Sequence, residues 1–168
     1  AGGDDLRGGA GIDTLSYRSN HGAGVTVSLA VSSTQNTRGS GLDRISTFEN
    51  VIGSGYSDVL AGTSRDNILD GLRGIDKMTG YDGNDTYYVD AVGDLTFEAS
   101  TLGTEIDRVY SSVSRTLGNN LEQLVLTGSG SNSGYGNELA NTVWGNSGSN
   151  VLYGYDANDT LYGNDGSD

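Results

Sequence analysis

The side chains able to do chemistry in this chain are acids and amides set nine residues apart. Asp4 and Asp13, then Asp58, Asn67, Asp76 and Asp85, then Asn141, Asn150 and Asp159, fall on one rhythm in three arrays. Two residues after each stands a large apolar side chain: Leu6, Leu15, Leu60, Leu69, Met78, Tyr87, Val143, Leu152 and Leu161. Five residues before most of them stands glycine, as at Gly8, Gly53, Gly62, Gly71, Gly80, Gly136, Gly145 and Gly154. With Cys 0 and His 1, thiolate sites and a histidine-based zinc site are excluded, so the donors are oxygens. Oxygen donors repeated at fixed spacing suit a hard divalent cation.

Nine is not a helical period, and interior glycine costs a helix up to about 1 kcal/mol per residue. Gly 28 beside Pro 0 points instead to regular hydrogen-bonded turns, which tolerate glycine and exclude proline. Each unit therefore reads as a six-residue glycine turn followed by a three-residue strand such as Thr14-Leu15-Ser16. One inward side chain per strand explains a hydrophobic fraction of only 34%. Two units make one coil of a flattened solenoid, so residues 18 apart stack at the strand spacing of about 4.8 Å. The acids then stack as well. Two carboxylates about 5 Å apart repel by roughly 0.8 kcal/mol in water and about 3 kcal/mol at an effective dielectric of 20. Ca²⁺ reverses that sign, because it takes six to eight oxygens at about 2.3–2.6 Å and glycine turns can aim main-chain carbonyls at it.

Lys+Arg 9 against Asp+Glu 22 gives a net charge of -13, which repels nucleic acid and anionic membranes and attracts cations. No apolar run approaches the roughly 18 residues of a membrane span, and no signal segment opens the chain. The sequence begins and ends in mid-motif, so it reads as a piece of a longer, exported bacterial protein whose targeting signals lie elsewhere.

Gly8-Gly9-Ala10-Gly11-Ile12-Asp13-Thr14-Leu15-Ser16 resembles, at every position, the RTX nonapeptide repeat GGxGxDxUx, with U a large apolar residue. Gly71-Leu72-Arg73-Gly74-Ile75-Asp76 and Gly80-Tyr81-Asp82-Gly83-Asn84-Asp85 lack the second glycine, and Gly154-Tyr155-Asp156-Ala157-Asn158-Asp159 lacks two. The resemblance implies an all-β, right-handed parallel β-roll, a single solenoid over 1–168 with repeat arrays at 1–17, 51–90 and 136–168. Longer irregular coils would fill 18–50 and 91–135, where Leu121-Glu122-Gln123-Leu124-Val125-Leu126-Thr127-Gly128 is similar to the coils that separate repeat blocks in large secreted members. Alternating Val25, Val27 and Leu29 marks a strand within the first of them.

What the resemblance implies about sites is several Ca²⁺ ions between turns two units apart. The pairs are Asp58 with Asp76, Asn67 with Asp85, Asn141 with Asp159, and Asn150 with Asp168, helped by main-chain oxygens of turns such as Gly8–Gly11, Gly71–Gly74 and Gly80–Gly83. Only Asp58 with Asp76 joins two carboxylates; the asparagine pairs are expected to be weaker or to close by hydrogen bonds up the stack. Tyr56 and Arg65 stand where the fourth-position glycine belongs and weaken those half-sites. Asp4 and Asp13 need partners from earlier turns or from the following insertion. Four ions would carry about +8 against the -13 of the chain. The implied function is a Ca²⁺-binding module that leaves a Gram-negative cell unfolded by type I secretion and orders outside it, as part of an adhesin, surface protein or exoenzyme.

Other residues carry weaker signals. His21 reads as a solvated loop residue, and Glu49, Glu98 and Glu122 as structural or Ca²⁺-ligating carboxylates rather than general acids. Trp144, Tyr153 and Tyr162 follow the inward residue, so alternation points them outward, Trp144 and Tyr162 on one sheet face and Tyr153 on the other. They either shield the sheet or form a contact stripe for a glycan or a neighbouring chain. Two alternatives to the calcium scaffold follow: a self-assembling module joined through solenoid ends or this aromatic face, and part of a carbohydrate-active β-helix. The segment itself is read as non-catalytic.

Overall fold

The computed structural model describes residues 2–19, 22–99 and 104–168. In chain order the strands are β1 (Asp5–Arg7), β2 (Thr14–Ser16), β3 (Thr26–Ser28), β4 (Thr34–Asn36), β5 (Leu42–Ser46) and β6 (Asn50–Ile52). They continue with β7 (Val59–Ala61), β8 (Ile68–Asp70), β9 (Lys77–Thr79), β10 (Thr86–Val89), β11 (Leu95–Phe97) and β12 (Arg108–Ser111). The last six are β13 (Arg115–Thr116), β14 (Gln123–Leu126), β15 (Ser133–Tyr135), β16 (Thr142–Trp144), β17 (Val151–Tyr153) and β18 (Thr160–Tyr162). The chain is all-β. No helix among the described residues is long and apolar enough to cross a membrane.

Short strands with turns at both ends can bury their single apolar residue only by stacking, and they do so as a parallel β-solenoid. The front sheet has the order β18-β16-β14-β12-β10-β8-β6-β2, and the back is formed by β11-β9-β7-β3 and β13-β15-β17. One inward column on the front runs Leu15, Val51, Leu69, Tyr87, Val109, Leu124, Val143, Leu161, so successive coils advance by 36, 18, 18, 22, 15, 19 and 18 residues. All but the last of these are buried; Leu161, whose strand has a neighbour on one side only, is 44% exposed. The back column adds Val27, Leu60 and Met78, each 0–1% exposed.

The two irregular regions differ. Across 91–135 the solenoid continues with one long and one short coil, and the front register is kept from Tyr87 to Val109 to Leu124. In 18–50 β3 joins the back face beside β7, and then β4 runs antiparallel to β5, which pairs in parallel with β1. This antiparallel pair departs from an all-parallel roll. The turn between β4 and β5 closes through Thr37, whose N–H and hydroxyl donate to the Gly41 carbonyl at 2.8 and 3.0 Å, while the Gln35 side chain ties β4 to β3, donating to the Ser28 carbonyl at 2.9 Å and accepting from the Ser28 N–H at 2.8 Å.

Candidate metal centre

Most strands are preceded by a turn whose last acid or amide lies two residues before the inward side chain; β3, with Val25 in that place, is an exception. Parallel stacking then fixes a repeated bond, in which the backbone N–H of one rung donates to the side-chain oxygen of the rung one coil later. It joins Asp58 to Asp76 (2.8 Å), Asn67 to Asp85 (2.7 Å), Asn141 to Asp159 (2.9 Å) and Asn150 to Asp168 (2.7 Å). All four pairs expected from the spacing are brought together. Asp4 and Asp13 find their partners inside the first insertion, at Asp43 (3.1 Å) and Glu49 (2.9 Å).

The turns are of two kinds. In 8–13, 71–76, 80–85, 154–159 and 163–168 the second and fourth residues have positive φ, for example Leu72 (60°) with Gly74 (148°) and Tyr81 (82°) with Gly83 (110°). Gly9 and Gly11 do the same in the first turn, at 107° and 122°. Glycine is required at Gly74 for a second reason, since a Cβ there would lie 2.7 Å from the Tyr56 carbonyl one coil below. Gly8, Gly71 and Gly80 are packed against the carboxylates of Asp13, Asp76 and Asp85 in the same way.

In 53–58, 62–67, 136–141 and 145–150 no residue has positive φ, and the second residue is Ser54, Thr63, Asn137 or Asn146. Its side chain accepts from the fourth N–H, at 3.2 Å for Ser54 and Thr63 and 2.8 Å for Asn137 and Asn146. Its own N–H donates to the sixth-position oxygen of Asp58, Asn67, Asn141 or Asn150 at 2.6–2.8 Å. The three asparagine amides then donate to carbonyls of Glu49, Leu121 and Asn132 in the coil before. A carboxylate has no proton to donate there, which explains Asn at these rungs; Asp58 is satisfied instead by a bond from the Ser54 hydroxyl at 2.9 Å.

The first kind of turn leaves oxygen over. Oδ2 of Asp13, Asp76 and Asp85 is buried with no hydrogen-bond partner. A buried unpaired carboxylate oxygen is costly, so these atoms fit a bound cation or hold a proton without one. Burial raises the Asp76 carboxyl from 3.8 to about 7, with the charges of Asp94 and Asp58 adding to it. Asp85 and Asp107 are likewise pushed up to about 7 by burial and by neighbouring acids, and Glu98 to about 9. A hard divalent cation would displace those protons, and these oxygens are the donors it prefers.

The ladders include rungs that the glycine pattern does not reveal: Asp43, Glu49, Asp94, Asp107 and Glu122. Asp76 donates to Asp94 (3.0 Å), Asp85 to Asp107 (2.7 Å) and Asp107 to Glu122 (2.9 Å). Their signal is shorter than a nonapeptide, namely an acid two residues before an inward side chain, as in Asp107-Arg108-Val109 and Glu122-Gln123-Leu124. On the outward front face Tyr88 stacks on Tyr110 at 5.3 Å and Trp144 on Tyr162 at 5.6 Å, with Val125 in register between the two pairs. Tyr153 lies on β17 in the back sheet, edge-on to Tyr155 at 4.8 Å. His21 lies outside the described residues.

Stacked three-residue strands closed by acid-bearing turns, some with bare buried oxygens, define a cation-binding β-solenoid. Four copies of the family model for the RTX calcium-binding nonapeptide repeat match residues 1–16, 52–87, 61–95 and 135–168, more than half of the chain. The chain belongs to that family of calcium-binding repeats. Comparison with curated proteins and with solved structures returns no match.

Proposed function

We propose that this chain is a Ca²⁺-dependent folding module of a larger secreted bacterial protein, ordered by the ion outside the cell and acting there as a rigid scaffold. The observation that carries the reading is the bare, buried Oδ2 of Asp76, stacked on Asp58 in a turn whose glycines hold it there. The turns ending in Asp13, Asp76, Asp159 and Asp168 would hold ions through these carboxylates and main-chain oxygens, the bound Ca²⁺ cancelling repulsion along the ladder. The turns capped by Ser54, Thr63, Asn137 and Asn146 close themselves by hydrogen bonds and serve as fixed floors for the ion-bearing turn one coil later. Because the rungs meet only when the coils stack, binding free energy becomes folding free energy. Micromolar or lower Ca²⁺ inside a Gram-negative cell then leaves the chain extended for type I secretion, and millimolar Ca²⁺ outside folds it. Catalysis belongs to other parts of the parent protein.

A far-UV circular dichroism titration at about pH 8, where the raised carboxyls of the metal-free chain are ionised, tests this. β signal that is weak in chelator and rises cooperatively with Ca²⁺ is the expected result; equal β signal in both conditions contradicts it.

A further inference from the structure

Glu98 belongs to no nonapeptide. It follows β11 on the back face, and its side chain reaches the turn that precedes β10 on the front, where it hydrogen-bonds with the Tyr87 hydroxyl. Asp85, Glu98 and Asp107 each place one oxygen within 4.8 Å of the others. Asp85 is 1% exposed and Asp107 2%. One oxygen of each aspartate is tied down, since Asp85 Oδ1 accepts from the Asn67 N–H and Asp107 Oδ1 from the Asp85 N–H, both at 2.7 Å. The other oxygen of Asp85, buried and without a partner, turns toward the Gly80 side of the turn, where Glu98 Oε1 and the Tyr87 hydroxyl also converge. Glu98 Oε2 and Glu105 Oε2 are buried without partners in the same neighbourhood. Among the described residues no ion pair reaches any of these acids; the two present join Arg7 to Asp5 and Arg18 to Asp70.

We propose that Asp85, Glu98 and Asp107 form a further site for one Ca²⁺ ion, outside the nonapeptide pairing, that clamps the 22-residue coil between β10 and β12. Ca²⁺–oxygen distances of about 2.3–2.6 Å let one ion bridge two oxygens up to roughly 5 Å apart, and three oxygens within 4.8 Å of one another close around it with shifts of about a few tenths of an ångström at most. The three ligands come from a front turn, the end of a back strand and the next front rung, so the ion ties both faces of an irregular coil. In register with Glu98 the two regular coils before it carry Gly80 and Gly62, which offer no side chain. This site rests on the reading of the chain as a Ca²⁺ binder.

The test counts Ca²⁺ per chain by native mass spectrometry at neutral pH for the unmodified chain, Glu98→Gln and Asp76→Asn. Each variant is expected to lose one ion and to keep the rest. An unchanged count in Glu98→Gln with one ion lost in Asp76→Asn overturns this site alone; no bound Ca²⁺ in the unmodified chain overturns the repeat sites as well. Tyr87→Phe, which leaves every carboxylate in place, gives a second readout in chains loaded with Tb³⁺. Tyrosine-sensitised emission is expected to drop by the share of one ion, and unchanged emission overturns the placement.

Discussion

Acid should substitute for calcium in this fold. Without metal, the Asp76, Asp85 and Asp107 carboxyls sit near pH 7 because burial and neighbouring acids disfavour their charged forms, against an ordinary 3.8. A group raised in the folded state gives its full stability below its unfolded value and loses it as pH rises to the folded value. A shift of about three units corresponds to about 4 kcal/mol unscreened, and solvent at the turns reduces this to about 1–2 kcal/mol per group. The three together should cost the metal-free chain about 3–6 kcal/mol between pH 4 and pH 8. Glu98, raised to about 9, extends the loss to higher pH. The assay is urea unfolding in chelator from pH 4.5 to 9, followed by circular dichroism. Expected is an ordered chain at pH 4.5 that loses β structure as pH passes 7, with saturating Ca²⁺ abolishing the fall. Asp76→Asn, which cannot ionise, should shrink the fall by its own share of about 1–2 kcal/mol. Metal-free stability that is flat or rises with pH over this range refutes the reasoning.

Leu69, fully buried in the front column, should cost about 2–5 kcal/mol as Leu69→Ala, read from denaturant midpoints in Ca²⁺. Ala157 holds φ at 69° where the repeat has glycine, so Ala157→Gly should stabilise the Ca²⁺-loaded chain by about 0.5–1 kcal/mol, seen as a higher melting temperature. Trp144→Ala removes a stacked ring pair and should lose about 0.5–1.5 kcal/mol beyond its buried area, with the Ca²⁺ count unchanged. Binding of Ca²⁺ at pH 6.5 should release protons from the raised carboxyls, and calorimetry in buffers of different ionisation enthalpy should show the release shrinking by pH 9.

Wherever the nine-residue rhythm survives, the fold was legible from the residues alone. The inward positions of Leu15, Leu60, Leu69, Met78, Tyr87 and Val143 follow from spacing, and so do the four rung pairs. The division into two turn types was not legible from the glycines, because it depends on which side chain stands second. Ser54, Thr63, Asn137 and Asn146 stand where the repeat has its second glycine, and in three dimensions the side chain of each accepts from the fourth N–H of its turn. Asp94 and Asp107, and the place of Glu122 in the ladder, were hidden for a related reason: coil length here varies between 15 and 22 residues while the rung stays two residues before the inward side chain. Glu98 has no local signal, since its neighbours come from turns 13 residues earlier and nine later. The antiparallel β4 is held by Thr37 meeting Gly41 and Gln35 meeting Ser28, contacts that no period encodes.

Whether a cation faces the bare oxygen of Asp76 can be seen directly in crystals grown with millimolar Ca²⁺, by anomalous scattering. Expected is a peak about 2.3–2.6 Å from Asp76 Oδ2. No peak there, with that oxygen protonated or bonded to water or a protein donor, would contradict cation-held stacking of the acidic rungs.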